Sequence, residues 1–316
     1  MSAKSILYGV VALLAGFAVL QWLPWNSSPA QARTQIGSVV AEAEQRQPVH
    51  AAVMPAAFTP TAVPALAPPQ PASRAARFEA AQELSALLAE LHDAAAHGDA
   101  EAARLAATAY DECYPLSAQP QRAAQLEQYG QSLPEPQRGA ALRHSGSLRQ
   151  RCSSLLAAGA IAPDDSRLLH EKAVQAGDLA SIAAELPGKA ADMPEDSVRQ
   201  TLRRIVATRD AEAIGRLAEV MGASSADQRD IYGPFSGSVA DSLAWQLVAC
   251  DLGRACGPDS LLVRTPCVSA GACLAGDFRD YLRHFQATPA QFEQALIKEK
   301  QLLERILAGE IDEIFP

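Results

Sequence analysis

Aromatic residues make up only 5% of this 316-residue chain, asparagine occurs once, at Asn26, and lysine five times. With so few large rings, smaller aliphatic side chains must fill most of any core. Sustained polar–apolar alternation and Asn-Gly hairpin signals are missing, so no sheet is expected. Neither a phosphate-cradling G-x-x-x-x-G-K-[ST] loop nor a dinucleotide-binding G-x-G-x-x-G occurs, and no cofactor is expected. Basic stripes with interleaved aromatics are lacking too. Residues 75–316 carry 23 basic and 34 acidic side chains, a net charge of −11 that repels phosphate backbones and excludes nucleic-acid binding.

What the chain does have is alanine, 64 residues of it. Alanine is the best helix former and loses no side-chain entropy, so the composition favours closely packed helices. At the N-terminus, Ile6–Leu23 is an apolar run preceded by a single charge, Lys4. A helix of that length spans about 27 Å, close to the roughly 30 Å hydrocarbon core of a bilayer. Trp22 and Trp25 stand at its outer end, where amphipathic rings settle at a membrane interface. Residues 1–33 are therefore expected to anchor the chain in an inner membrane with the rest in the periplasm. The alternative is a signal peptide cut near Ala30-Gln31-Ala32, giving a secreted protein. Pro48 to Pro71 then holds seven prolines in 24 residues, and residues 34–74 read as an extended Pro/Ala-rich linker.

From residue 75 onward the pattern is helical. Phe78, Ala81, Leu84, Leu88, Leu91 and Ala95 recur at intervals of three and four, one stripe of an amphipathic helix. Ala102, Leu105, Ala106, Ala109, Tyr110 and Cys113 continue on a new face beyond Gly98-Asp99. Thr288-Pro289-Ala290-Gln291 reads as a capping box opening a last helix, with Phe292, Leu296, Leu303, Ile306 and Leu307 as its apolar positions. Residues 223–237 look like a loop.

A repeat runs through the middle of the chain. Ala96-His97-Gly98-Asp99-Ala100-Glu101-Ala102 is matched by Gln175-Ala176-Gly177-Asp178-Leu179-Ala180 and by Asp210-Ala211-Glu212-Ala213, with aspartates 79 and 32 residues apart. Periods near 40 belong to helix–turn–helix units that stack because none buries its apolar face alone. At these residues, over about 75–222, the chain resembles Sel1-like and tetratricopeptide repeats, although the Trp, Tyr and Pro positions of the tetratricopeptide unit are missing. The resemblance implies an all-α, solenoid-like stack of helical hairpins offering a concave groove to a protein or peptide. Residues 75–222 form this repeat-like region and 223–316 a cysteine-rich helical C-terminal region.

Six cysteines occur: Cys113, Cys152, Cys250, Cys256, Cys267 and Cys273. An even count behind an export segment favours disulfides. The last four follow C-x5-C-x10-C-x5-C, too wide for the C-x2–4-C knuckle of a structural zinc site, so no metal is expected. Cys113 is expected to pair with Cys152. The other four should form two bridges, nested (250–273, 256–267) or interlocked (250–267, 256–273). These would pin a helix ending at Cys250 and turns at 253–257 and 268–272 around Trp245 and Phe285.

Candidate chemistry is thin. His170-Glu171 opens like a zinc-protease helix, but Val174 stands where the second histidine would be. Gly233-Pro234-Phe235-Ser236-Gly237 puts its serine one place too late for a nucleophile elbow. Carboxylate pairs Asp111-Glu112 and Asp164-Asp165 suit helix ends. No catalytic residue is assigned, and the expectation is an envelope binding or scaffold protein without catalytic activity. The alternative is an envelope hydrolase with its site within 223–275.

Overall fold

In the computed structural model, which describes residues 72–316, each aspartate of the repeat begins a helix. The carboxylates of Asp99, Asp178 and Asp210 accept from the backbone N–H of Ala102, Ser181 and Ala213 at 2.9, 2.7 and 2.9 Å. Each satisfies an amide that the first helical turn leaves without a partner. The preceding residue is left-handed all three times: Gly98 at φ 91°, Gly177 at 88° and Arg209 at 56°. Gly98 N–H donates to Ala95 and Asp99 N–H to Ala94, both at 3.1 Å, and Gly177-Asp178 repeats the pattern on Val174 and Ala173. One dipeptide thus closes a helix and opens the next.

Three hairpins result. A short helix, α1 (Arg74–Ala80), leads into α2 (Ser85–Ala96) and α3 (Ala100–Ala118). Next come α4 (Arg122–Ser132) and α5 (Gln137–Ala158), joined without the Gly-Asp turn. The second aspartate hairpin is α6 (Pro163–Gln175) with α7 (Leu179–Lys189), and the third is α8 (Glu195–Thr208) with α9 (Ala211–Arg216). Helix α3 packs along α6 and α7 along α9, so the aspartate hairpins stack directly, while α5 lies against α3 from another side. The extra hairpin occupies the 79-residue gap between the first two aspartates. Then follow α10 (Arg229–Tyr232), α11 (Val239–Asp251), α12 (Leu261–Ala270), α13 (Phe278–Tyr281) with a π-helical turn at Leu282–Gln286, α14 (Pro289–Ala308) and α15 (Ile311–Ile314). Helix α11 packs against both α9 and α14, extending the stack. The fold is all-α, with no strand among the described residues.

Two large cores fill the stack. One joins Phe78, Leu84, Leu88 and Leu91 to alanines of α3 and to Leu148, Ile161 and Ala173. The other runs from Ala180 to Phe315 and holds Leu202, Ile205, Ile214, Met221 and Trp245. Trp245 stacks on Phe315 with centroids 6.2 Å apart, and its indole N–H donates to the Phe235 carbonyl at 2.8 Å.

Several expectations need correction. The Phe78–Ala95 stripe is buried except for half-buried Ala81, but it spans two helices and the link between them, because the chain breaks at Ala81 (ψ 127°) where Arg151 collects the Phe78, Glu79 and Ala81 carbonyls. The capping box at Thr288 is present. Helix α14 nevertheless buries Phe292, Ala295, Glu299, Leu302 and Ile306, leaving Leu307 exposed and Leu303 half-buried. Phe285 is 44% exposed rather than core, because the π turn rotates it outward; Phe278 and Phe292 fill the space beside α11. The 223–237 segment contains a 3-10 turn at Ala223–Ser225 and all of α10. The apolar run Ile6–Leu23, Trp22, Trp25, the Ala30-Gln31-Ala32 cut and the Pro48–Pro71 stretch lie outside the described residues. Within those residues, no helix is long and apolar enough to cross a membrane.

Candidate functional site

All six cysteines are paired, the bonding pattern of an oxidising compartment. Cys113 of α3 and Cys152 of α5 are bridged with Cα atoms 5.5 Å apart. The C-terminal four are neither nested nor interlocked: Cys250 pairs with Cys256 and Cys267 with Cys273, at Cα separations of 5.6 and 4.3 Å. The reason is local. Cys250 and Cys267 sit in the last turns of α11 and α12, and each helix is closed by a left-handed glycine, Gly253 at φ 105° and Gly271 at 71°. Gly253 N–H donates to Cys250 and Gly271 N–H to Cys267, so the chain doubles back and delivers the second cysteine six residues on. The turn expected at 268–272 is helical through Ala270.

The Cys113–Cys152 bridge continues into a buried ion network, since Glu112 and Arg151 are the preceding residues. Arg151 grips the Glu112 carboxylate with two bonds, at 2.8 and 2.9 Å, and Arg264 of α12 donates to it at 3.1 Å. All three side chains are almost fully enclosed. Glu79 accepts from the Leu261 backbone at 3.1 Å, and burial pushes its carboxyl up. Glu112 therefore lies mid-helix in a network that ties α3, α5 and α12 together, correcting its reading as a helix-end residue. Asp165 does serve that end role, accepting from Ala162 N–H at 2.8 Å.

In front of this network runs a groove. Its upper cleft, about 390 Å³, and its lower cleft, about 650 Å³, share Thr108, Arg216, Leu261 and Leu262 as lining. The stacked hairpins supply one wall through α3, α6, α7 and α9, and α12 supplies the other. In the upper cleft Arg254 holds Glu212 with two bonds, at 2.6 and 2.9 Å, and Arg216 reaches the same carboxylate at 2.8 Å. Burial would lift the Glu212 carboxyl, but Arg254 and Arg216 hold it down at about 2. Gly215 makes room: a Cβ there would collide with the Arg254 guanidinium and lie 3.0 Å from Ala249.

The lower cleft carries Asp111, His170, Ser181, Thr265, Ser269 and Tyr281 over an apolar lining of Val174, Leu261, Leu262 and Pro266. Asp111 stands one residue before Glu112 but on the groove side of α3, again not at a helix end. Its carboxylate accepts from the Ser166 hydroxyl and lies 2.9 Å from His170 Nε2, which carries the proton because a carboxylate only accepts. Burial works to raise Asp111, yet these two hydrogen bonds with the charges of His170 and Arg216 leave it below the usual range. Serine donates to the acid here rather than to the histidine, so the trio is no nucleophile–base pair. Ser181 Oγ, enclosed in the same cleft, has no hydrogen-bond partner.

Elsewhere, His92 contacts the Tyr110 hydroxyl at 3.0 Å and His97 the Asp93 carbonyl at 2.7 Å. His144 is buried, and its lack of solvation lowers it to about 4. Ser236 is buried and donates to the Gly233 carbonyl at 2.7 Å, a structural bond. No cluster of three or more metal-ligating side chains occurs among the described residues. Sequence reasoning missed the groove residues Asp111 and His170, which lie 59 positions apart. It also missed the ion network, for which a signal existed: an acid precedes one cysteine of the expected pair and an arginine precedes the other. Comparison with family models, characterised proteins and solved structures finds no match to this chain.

Proposed function

We propose that this is a binding protein of the cell envelope that lays a polypeptide partner in the groove between its hairpin stack and α12. The observation that carries the reading is the groove itself, two adjoining clefts with both apolar lining and unburied polar groups. Walls this mixed suit an extended chain, whose side chains alternate between apolar and polar needs. The resemblance of the aspartate turns to Sel1-like repeats supports the same use. Three disulfides agree with a periplasmic or secreted location, and the N-terminal apolar run supplies the membrane attachment. No catalytic role is assigned to the groove.

Site-specific photocrosslinking in the native host tests this. A photoreactive residue at Thr265, in the lower cleft, is expected to capture a discrete protein partner, while the same residue at exposed Ile297, outside the groove, captures none. Equal labelling from both positions would remove the groove as the binding surface. Attachment is tested separately: Arg33 as the mature N-terminus would replace the anchor with a cleaved signal.

A further inference from the structure

The lower cleft has a chemical sign. Asp111 is an ionised carboxylate at its wall, half-exposed, with each oxygen already given one hydrogen bond, from Ser166 or from His170. A carboxylate oxygen accepts about two, so one acceptor site per oxygen remains. The neighbouring acid Glu112, itself in the lining, is enclosed and paired with Arg151 and Arg264, and Arg216 is engaged with Glu212. Asp111 thus presents its carboxylate to the cleft beside His170, in a lining whose other exposed charges, Arg216 and Glu185, are paired with Glu212 and Lys189, on a domain that is acidic overall. In the same lining the Ser181 hydroxyl is enclosed without a partner. A hydroxyl enclosed without a bond is unfavourable, and a ligand bond relieves it. Tyr281 also lines the cleft. It stacks on Phe278 at 5.7 Å and leans on Phe285 at 5.5 Å, so its position is braced by neighbouring rings.

Resting on the groove reading above, we propose that the lower cleft recognises a basic segment of the partner. A lysine or arginine head would donate to Asp111, its methylene stem would lie along Leu261, Leu262 and Tyr281, and a neighbouring polar group of the chain would pair with Ser181. Cations near an aromatic face gain further attraction. The negative domain charge steers such a segment in and repels an acidic one.

The test uses the full chain and two fluorescently labelled heptapeptides of alanine and leucine, one with a central lysine and one with a central glutamate. The lysine peptide is expected to bind at least about tenfold more tightly and to weaken as salt rises from about 50 to about 500 mM. Asp111→Asn removes the charge, and Thr265→Lys adds an opposing one at an exposed position of α12; each is expected to weaken lysine-peptide binding about tenfold. Circular dichroism melts check that both variants fold, and Thr265→Lys keeps the test alive if Asp111→Asn does not. Equal affinity for the two peptides, or unchanged lysine-peptide affinity in the folded variants, overturns the proposal. Failure of both peptides while the Thr265 photocrosslink persists overturns the basic class alone and leaves the groove reading standing. Failure of peptides and crosslink together removes both.

Discussion

The two large cores of this molecule are held by different means. The C-terminal core is packed with bulky side chains, among them Trp245, Phe315, Phe235, Tyr232 and Met221. In the N-terminal core Phe78 is the single fully buried ring, and much of the rest is alanine: Ala95, Ala102, Ala103, Ala106, Ala109 and Ala173. Alanine lets helices approach closely but removes little apolar area from water per residue. The N-terminal half compensates with bonds of other kinds. A disulfide joins α3 to α5, an Arg–Glu–Arg network lies beside it, and Arg151 also donates to the carbonyls of Phe78, Glu79 and Ala81. Where side chains are small, covalent and polar ties hold the helices in register.

The largest test of that contrast pairs Arg151→Met with Trp245→Ala. Removing Arg151 leaves Glu112 with one partner fewer and takes a hydrogen bond from each of the Phe78, Glu79 and Ala81 carbonyls, a loss expected near 3–5 kcal/mol. Truncating Trp245 opens a cavity and should cost a similar 3–5 kcal/mol. Denaturant unfolding measures both, and an Arg151→Met variant within about 1 kcal/mol of the parent would show that alanine packing suffices by itself.

Next in size are the disulfides. Replacing Cys113 and Cys152 by serine opens a ring with a sequence separation of 39 and should cost about 4 kcal/mol in the chain-entropy model, against about 2 kcal/mol for the six-residue Cys250–Cys256 ring. Equal losses would mean the long bridge adds nothing special to the N-terminal half.

Acid separates the halves as well. His144, in the N-terminal half, is lowered to about 4 from 6.5. Between those values the unfolded chain binds a proton that the folded chain refuses, so stability falls as pH drops from about 6.5 toward 4, by about 3 kcal/mol in all. Glu212, beyond the aspartate turns, is held at about 2, so its contribution is complete above about 4.5 and is lost only as pH falls toward 2. Burial raises Glu79, which works in the opposite direction, and the His144→Leu variant isolates the histidine. A His144→Leu stability curve that still falls between pH 6.5 and 4 would assign the loss to another group.

The smallest effect compares the turns. Arg209 occupies the left-handed position that Gly98 and Gly177 fill in the other two. Arg209→Gly removes Cβ strain worth up to about 1 kcal/mol, less the bond from Arg209 to the Leu307 carbonyl at 2.9 Å. A rise in melting midpoint of a few degrees or less is expected; a clear fall would show that the Leu307 bond outweighs the strain.

Much of the helix layout could be read from the chain because its signals are local. An aspartate three residues before the amide it caps, a glycine that turns left-handed and a Thr-Pro-x-Gln box act within a few bonds of themselves, in any surroundings. Local chemistry also governs the two short cystines, and the glycine inside each C-x5-C was the overlooked sign of it. Which helix lies beside which was decided elsewhere. Asp111 and His170, Glu112 and Arg264, and Glu212 and Arg254 are 59, 152 and 42 residues apart. They meet only because burying apolar faces brings α3 against α6, α12 alongside α5 and α9 against α11. Burial of that kind is non-directional, so no spacing in the sequence announces its outcome. The groove is a product of that packing, and so is the state of its acids: Asp111 and Glu112, adjacent in the chain and both in the cleft wall, differ because Arg151 and Arg264 enclose Glu112 while Asp111 stays half-exposed.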